Sequence, residues 1–346
     1  MNGRLVLHVD IDTFFCQVEQ NRDPSLKGQP IAIQQHQDII AVSYEARKAG
    51  VRKHMRPVEA RKVLQAVGGH LVHVYMAEGA RVSYEPYREV SRRFIKALRQ
   101  FDSIAIVEKA SIDEAYLLYL PHGPQSTAPV DIAAGAQLAA RIKASVLKEL
   151  GLVVSVGVAR NKVLAKLASE ASKPNGLLSV DGRQAVEALL GRMPAARLPR
   201  CGGVVAETLR AAGVETVADL QAWSVTQLHQ ALGFKPAVAA QLHDWARGIC
   251  HEPVIEKGPA KTISVQMTLT PVQLAMHPSL SHTTSAAGGQ AGVFEPLPID
   301  SPDLKVRLRR LLTAMGCDLL NRVLNDKEEE SRSQPAPHSQ QEALAS

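Results

Sequence analysis

Apolar and polar positions alternate from Arg4 to Asp10 and predict a strand. A helix is expected from Thr13 to about Gln20. Ile31–Ile33 and Ile39–Ser43 read as short strands joined by the polar stretch Gln34–Asp38. Ser43 has the character of an N-cap for the helix YEARKA, which Gly50 closes. Tyr84 to Phe101 carries helical periodicity. Ile104–Glu108 and Ala115–Leu120 read as strands flanking Ser111-Ile112-Asp113-Glu114. Ile132–Leu150 predicts a helix and Val153–Val158 a strand. Asn161 to about Ser172 predicts a further helix, stopped by Lys173-Pro174-Asn175-Gly176.

The texture changes near Leu189. Arg197–Leu220 reads as helix, Gly-Gly turn, helix, and short helices continue to Arg247. Lys261–Leu269 alternates like a strand or linker. Residues 271–302 are rich in Ser, Thr, Gly, Pro and His without periodicity and read as an irregular insert. Ser301–Leu324 is amphipathic, and residues 327–346 have the composition of a disordered tail. Strands and helices in this mixture predict an α+β fold, with a small all-α unit after it.

Composition narrows the class. Of 346 residues, 45% are hydrophobic and 21% charged, which excludes a disordered chain, a coiled coil and a collagen. No run of 18 apolar residues is present, so no membrane span is predicted. His8 and Asp10 break the N-terminal apolar run, so no signal peptide is expected. The net charge of +6 leans towards a polyanionic partner. Four cysteines without C-x-x-C spacing suggest neither zinc site nor disulfide framework, and hence an intracellular chain.

Candidate chemistry begins at Asp10-Ile11-Asp12, where two carboxylates share one strand face. Asp113-Glu114 forms a second acidic pair. Brought together, Asp10, Asp113 and Glu114 would repel unless a cation joined them, and an all-oxygen set suits Mg²⁺ rather than zinc. Tyr44 and Arg47 lie three apart on the Ser43-capped helix, where the helix N-terminus favours phosphate. Lys173 adds another cation. No GxxxxGK[ST] loop is present, so a triphosphate would not be held as in P-loop proteins. Phe14 reads as core. An aromatic pair at this spacing is more often core; Phe15 could instead sit under a nucleotide sugar, where it would clash with a 2′-hydroxyl. Leu198-Pro199-Arg200-Cys201-Gly202-Gly203 reads as the turn of a helix–hairpin–helix, whose glycines would bring backbone N–H groups to DNA phosphates.

These residues together resemble the Y-family of translesion DNA polymerases, most closely its eta branch. The matching strings are VDIDTFFCQVEQ, IIAVSYEARKAGV, VEKASIDEAY, SVGVARNKVLAKLASEASKPNG and ARGICHEPV, over about residues 4–270. The resemblance implies a palm at 1–15 and 81–190, fingers at 16–80 and a thumb at 191–260. A partial little finger with the irregular insert would follow at 261–326. It implies that Asp10, the Ile11 carbonyl, Asp113 and Glu114 bind two Mg²⁺, with Mn²⁺ as a substitute. Phe14, Phe15, Gln35, Tyr44, Arg47, Lys53 and Lys173 become candidate nucleotide-binding residues, with Phe15 as a steric gate and Gln35 against the nascent pair. Ser111, Lys162, Gly202, Gly203 and Lys261 become candidate DNA contacts. The implied reaction is attack of a primer 3′-hydroxyl on the α-phosphate of a dNTP, opposite lesions such as UV-linked pyrimidine dimers. Primer–template DNA and dNTP are the implied partners. A sliding clamp is a further one, through regions this sequence lacks. A nuclear monomer is implied too.

Two departures stand out. Lys53 replaces the arginine usual in the eta branch, and lysine lacks the planar fork for stacking and bidentate phosphate contact. Beyond Leu324 no further strands of a little finger are legible, so grip on the duplex is expected to be weak and salt-sensitive. A competing reading is a catalytically silent chain that binds DNA or partners without extending primers. A nucleotidyl cyclase shares the acidic cluster but needs neither the helix–hairpin–helix nor a sugar gate.

Overall fold

The structure, a computed structural model, describes residues 3–77, 81–123 and 128–257. Expectations for the insert, the helix at Ser301–Leu324, Lys261 and the tail lie outside the described residues. Two compact units divide the chain, residues 1–75 with 84–257 and residues 76–83 with 258–346. In the second, strands β5 (Met76–Ala77) and β6 (Arg81–Val82) pair antiparallel; the other elements below belong to the first.

The first unit begins with β1 (Leu5–Ile11), α1 (Phe14–Arg22), β2 (Ile31–Gln35) and β3 (Asp38–Val42). Helices α2 (Tyr44–Lys48) and α3 (Pro57–Ala66) and strand β4 (His70–His73) follow. Then come α4 (Glu85–Leu98), β7 (Ile104–Lys109), β8 (Glu114–Tyr119) and α5 (Ile132–Leu150). Strand β9 (Val154–Ala159), α6 (Lys162–Ala171), β10 (Leu177–Val180) and α7 (Gly182–Leu190) complete the mixed part. The all-α part holds α8 (Val204–Ala211), α9 (Val217–Gln221), α10 (Val225–Gln230) and α11 (Pro236–Ala246).

A five-stranded sheet runs β10-β9-β1-β8-β7, and a three-stranded sheet runs β3-β2-β4. In the small sheet, Ala32, Ile39 and Val42 close a core with Ala46, Ala60 and Leu64 from α2 and α3. Its hairpin turn is tighter than expected, because β2 and β3 pair as far as Gln35 and Asp38.

All seven residues of β1 are buried, because helices cover both faces of the central strands. Successive strand residues point to opposite sides. Leu5, Leu7, Val9 and Ile11 therefore face one layer, and Val6, His8 and Asp10 the other. On the first side, a Cβ on Gly135 of α5 would lie 2.6 Å from Leu5 and 2.8 Å from Val158. On the second, a Cβ on Gly157 of β9 would lie 2.0 Å from the Ala165 carbonyl oxygen and 2.4 Å from the Ser169 nitrogen. Helix α6 thus rests directly on backbone at Gly157. The apolar side of α6, with Leu164 and Leu167, continues into a core with Leu209, Leu220, Leu228 and Trp245 of the all-α part.

The expected helix before Gly202 is only a single 3₁₀ turn, Ala195–Arg197. Pro199 is the reason: it drives Leu198 into extended backbone (φ −61°, ψ 142°) and offers no N–H. Helix α3, strands β4 and β10 and helix α7 complete the fold beyond the elements read from periodicity.

Gly157→Ala is expected to lower unfolding free energy by at least about 1–3 kcal/mol, because the new methyl meets backbone rather than a movable side chain. Urea denaturation measures this; a loss below about 0.5 kcal/mol would show that α6 does not rest there.

Candidate active site

Two rows of side chains cross the large sheet on its α6 side. One runs Glu108, Tyr116, His8, Gly157 through the pairing of β7, β8, β1 and β9; the next runs Glu114, Asp10, Ser155. Asp12 follows two residues after Asp10, with its N–H on the Val153 carbonyl at 3.0 Å.

Helix α6 and its exit loop lay a matching stripe over these rows. Lys162, Lys166, Ser169 and Lys173 recur at spacings of four, three and four residues, so they share one face. Lys162 Nζ donates to both Glu108 oxygens at 2.9 Å. Lys166 Nζ donates to Glu114 Oε2 at 2.6 Å, and Lys173 Nζ to Asp10 Oδ1 at 2.5 Å. The Asn175 N–H reaches Asp12 Oδ2 at 2.6 Å, and the Ser155 hydroxyl reaches Asp12 Oδ1 at 2.9 Å. Four gathered acids are thereby each given a partner from α6, its loop or β9.

His8, in the first row, is fully buried. Burial pushes its imidazole down to about 4, so it is neutral at pH 7. Its Nε2 lies 3.3 Å from Glu114 Oε2 and its Nδ1 2.6 Å from the Ser169 hydroxyl, which also faces the Lys166 carbonyl at 2.8 Å. Burial works to raise the Glu114 carboxyl, but the hydrogen bonds from His8 and Lys166 outweigh it and hold it at about 2. Burial pushes the Asp10 carboxyl up to about 7 despite the opposing pull of Lys173.

The expected convergence of Asp10, Asp113 and Glu114 is met only in part. Among the described residues no three acid, imidazole or thiolate groups stand as a finished metal cage. The Asp113 carboxylate accepts from the Ser111 hydroxyl at 2.5 Å, and Asp10 leans to Lys173. Asp113 nevertheless lies near enough for its charge to push Asp10 upwards, and its carbonyl accepts the Ile11 N–H at 3.0 Å. The hydrogen bonds to Asp10 fall on Oδ1 and those to Glu114 on Oε2, so the other oxygen of each carries none of them. Carboxylate oxygens alone, two of them on directly paired residues, fit a hard divalent cation.

Ser43 caps α2 as expected, accepting from the Ala46 N–H at 3.2 Å. The cap turns Tyr44 towards the acids, and its hydroxyl donates to Asp12 Oδ1 at 3.4 Å. Tyr44 and Lys173 are therefore brought to one place. Arg47 is exposed, with its guanidinium 5.0 Å over the Tyr44 ring; Lys53 is exposed as well. Phe15 is half-buried against Tyr84 and Tyr87. Phe14 is 2% exposed and packs on Phe15 and Tyr87, so it is core and closed to a ligand, contrary to its grouping with the nucleotide residues. Gln35 accepts a hydrogen bond from the Tyr84 hydroxyl.

Among the expected DNA contacts, Gly202 and Gly203 stand exposed beside Val204, which is 76% exposed. Gly203 has φ +54°, a conformation that favours glycine. The Ser111 hydroxyl is turned to Asp113. Lys162 departs from its expected DNA contact: its ammonium is tied to buried Glu108 and lies 4.7 Å over the Tyr116 ring, so it is not held out for phosphate. Glu108 also accepts the Ile255 N–H at 3.1 Å and faces Lys257 at 3.6 Å, which pins the segment after α11 to the sheet. Sequence reasoning passed over Lys166, His8, Ser155, Asn175 and Tyr84. The lysine periodicity of α6 was the available signal for Lys166.

Lys162→Ala is expected to cost about 3 kcal/mol or more by leaving Glu108 buried without its main partner. The salt dependence of DNA binding stays unchanged. Unchanged stability with a salt slope reduced by about one would return Lys162 to the DNA interface.

Residues 9–170 match the impB/mucB/samB family. The DNA polymerase IV of Halorhodospira halophila is 34% identical over 272 residues, 78% of this chain and 70% of the relative. That of Ralstonia nicotianae is 34% identical over 269 residues, 77% of this chain and 69% of the relative. The crystal structure of DinB from Sulfolobus solfataricus matches with a TM-score of 0.60 and 30% identity, over 74% of this chain and 70% of that one. These curated relatives carry the polymerase IV name rather than eta, so the eta placement is not supported. They come from bacteria, which have no nucleus, and this overturns the nuclear expectation.

Proposed function

Because the chain belongs to the Y-family of DNA-directed DNA polymerases, we propose that it extends primers across damaged template positions through the Asp10–Glu114 site. One observation supports this reading most: paired Asp10 and Glu114 sit beneath a helix and loop whose lysines already neutralise one oxygen of each.

In this reading the large sheet with α4–α6 is the palm, residues 16–80 the fingers and 191–260 the thumb. Asp10, Asp113, Glu114 and the Ile11 carbonyl would hold two divalent cations, Mg²⁺ or Mn²⁺, which stabilise the attacking and leaving oxygens when bound. Every other role falls to the chain itself. Lys173, Tyr44 and Arg47 hold the triphosphate: Lys173 and Tyr44 from beside the acids, Arg47 as a fork offered from the exposed face of α2. His8 and Lys166 fix the Glu114 carboxylate in one orientation and keep it ionised. Phe15 lies beneath the sugar and excludes a 2′-hydroxyl. Lys53, exposed on the fingers, contacts the nucleotide as a point charge. Gly202 and Gly203 offer backbone N–H groups to the duplex without reading sequence.

Primer extension by the full chain with Mg²⁺ and dNTPs, on undamaged and lesion-containing templates, tests this. The chain is expected to extend both, and Glu114→Ala to fall by at least about a hundredfold while still binding DNA. A folded, DNA-binding chain that extends neither template would overturn the proposal in favour of a silent binding role.

A further inference from the structure

The Phe15 ring does not stand alone. It meets Tyr87 with ring centroids 4.7 Å apart and Tyr84 edge-on at 5.8 Å. The two tyrosines differ in what holds them. Tyr87 is fully buried, donates its hydroxyl to Glu19 and accepts the Tyr75 N–H at 3.0 Å, so its ring is fixed by the core. Tyr84 precedes α4 at the N-cap position and is only half-buried. Its hydroxyl crosses from the large-sheet layer to the small sheet and donates to Gln35 Oε1, on the last residue of β2. One side of Phe15 therefore rests on an immovable ring. The other rests on the Tyr84 ring, which meets Tyr87 at 5.9 Å and whose hydroxyl is tied to another layer by its hydrogen bond to Gln35.

We infer that Tyr84 is a positioning residue for sugar selection, tying Phe15 to Gln35 so that the space beneath the nucleotide sugar is set from the fingers side. This rests on the reading of Phe15 as the residue that excludes a 2′-hydroxyl. Edge-on aromatic contact prefers one ring geometry, so displacing Tyr84 displaces what Phe15 packs against. The bond to Gln35 fixes the hydroxyl end of a ring whose body already packs on Tyr87, and so removes the swing that this packing alone would leave. When that bond is lost, Phe15 gains room on the Tyr84 side, and the clash with a 2′-hydroxyl softens. Gln35 thereby influences sugar choice without touching the sugar.

The test is single-nucleotide insertion with matched dNTP and rNTP by the full chain, giving the ratio of kcat/KM values. Tyr84→Phe keeps the ring and removes the hydroxyl; Gln35→Leu removes the acceptor. Each is expected to shift the ratio about three- to tenfold towards the ribonucleotide, the worth of one hydrogen bond, and Tyr84→Phe is expected to keep dNTP kcat within about twofold of wild type. The double variant is expected to shift it no further, because both changes break the same bond. Phe15→Ala is the control for the underlying reading. If Phe15→Ala relaxes sugar choice while Tyr84→Phe and Gln35→Leu leave it unchanged, the inference fails and the gate stands. If Phe15→Ala also leaves sugar choice unchanged, the gate reading fails and takes the inference with it. Additive shifts in the double variant would show two separate effects and would overturn the bridge.

Discussion

Everything at the candidate site depends on how closely α6 approaches the sheet at Gly157. A side chain there would collide with the backbone of the helix, so only glycine lets α6 descend. That descent places Ser169 on His8, Lys166 on Glu114 and Lys162 on Glu108, and sends the exit loop past Asp10 and Asp12. A helix held further from the sheet would stretch each of these contacts away from good hydrogen-bond geometry. The same close approach keeps water off the acids, which is why Asp10 is pushed up and His8 down.

The charge arrangement follows from this geometry. Gathering Glu108, Glu114, Asp10 and Asp12 on one buried face would be prohibitive without partners. The chain supplies them in two ways. Glu108 and Asp12 are satisfied by fixed neighbours, a lysine and backbone N–H on one, a serine and backbone N–H on the other. They serve architecture. Asp10 and Glu114 are neutralised by single lysines on one oxygen each, and Lys173 is half-exposed at the end of a loop. Those two carboxylates are the ones for which a hard cation and a triphosphate offer a better arrangement than the lysines alone.

Local chemistry was readable from sequence and long-range pairing was not. The Ser43 cap, the stop after Ser172 and the strand ends bearing Asp10 and Glu114 each arise from a few adjacent residues, and the structure has them all. The role of Lys162 was misread because its partner Glu108 lies 54 residues away, and nothing local marks a buried carboxylate as waiting for it. Tyr84 was read only as the start of a helix, since its hydroxyl's destination is fixed by how β2 and α4 meet. Pro199 carried a signal that outweighed the apparent helix around it. The family was legible from its motif strings; its branch was not, and the curated relatives carry the polymerase IV name.

The most direct measurement is a crystal structure of the full chain with primer–template DNA, a non-hydrolysable dNTP and Mg²⁺. The account predicts cations on the free oxygens of Asp10 and Glu114, with Asp113 turned from Ser111 to join them. Lys173 would have moved from Asp10 to the triphosphate, while Lys162 remained on Glu108. A nucleotide seated elsewhere, with Lys173 still paired to Asp10 and no cation between Asp10 and Glu114, would contradict it.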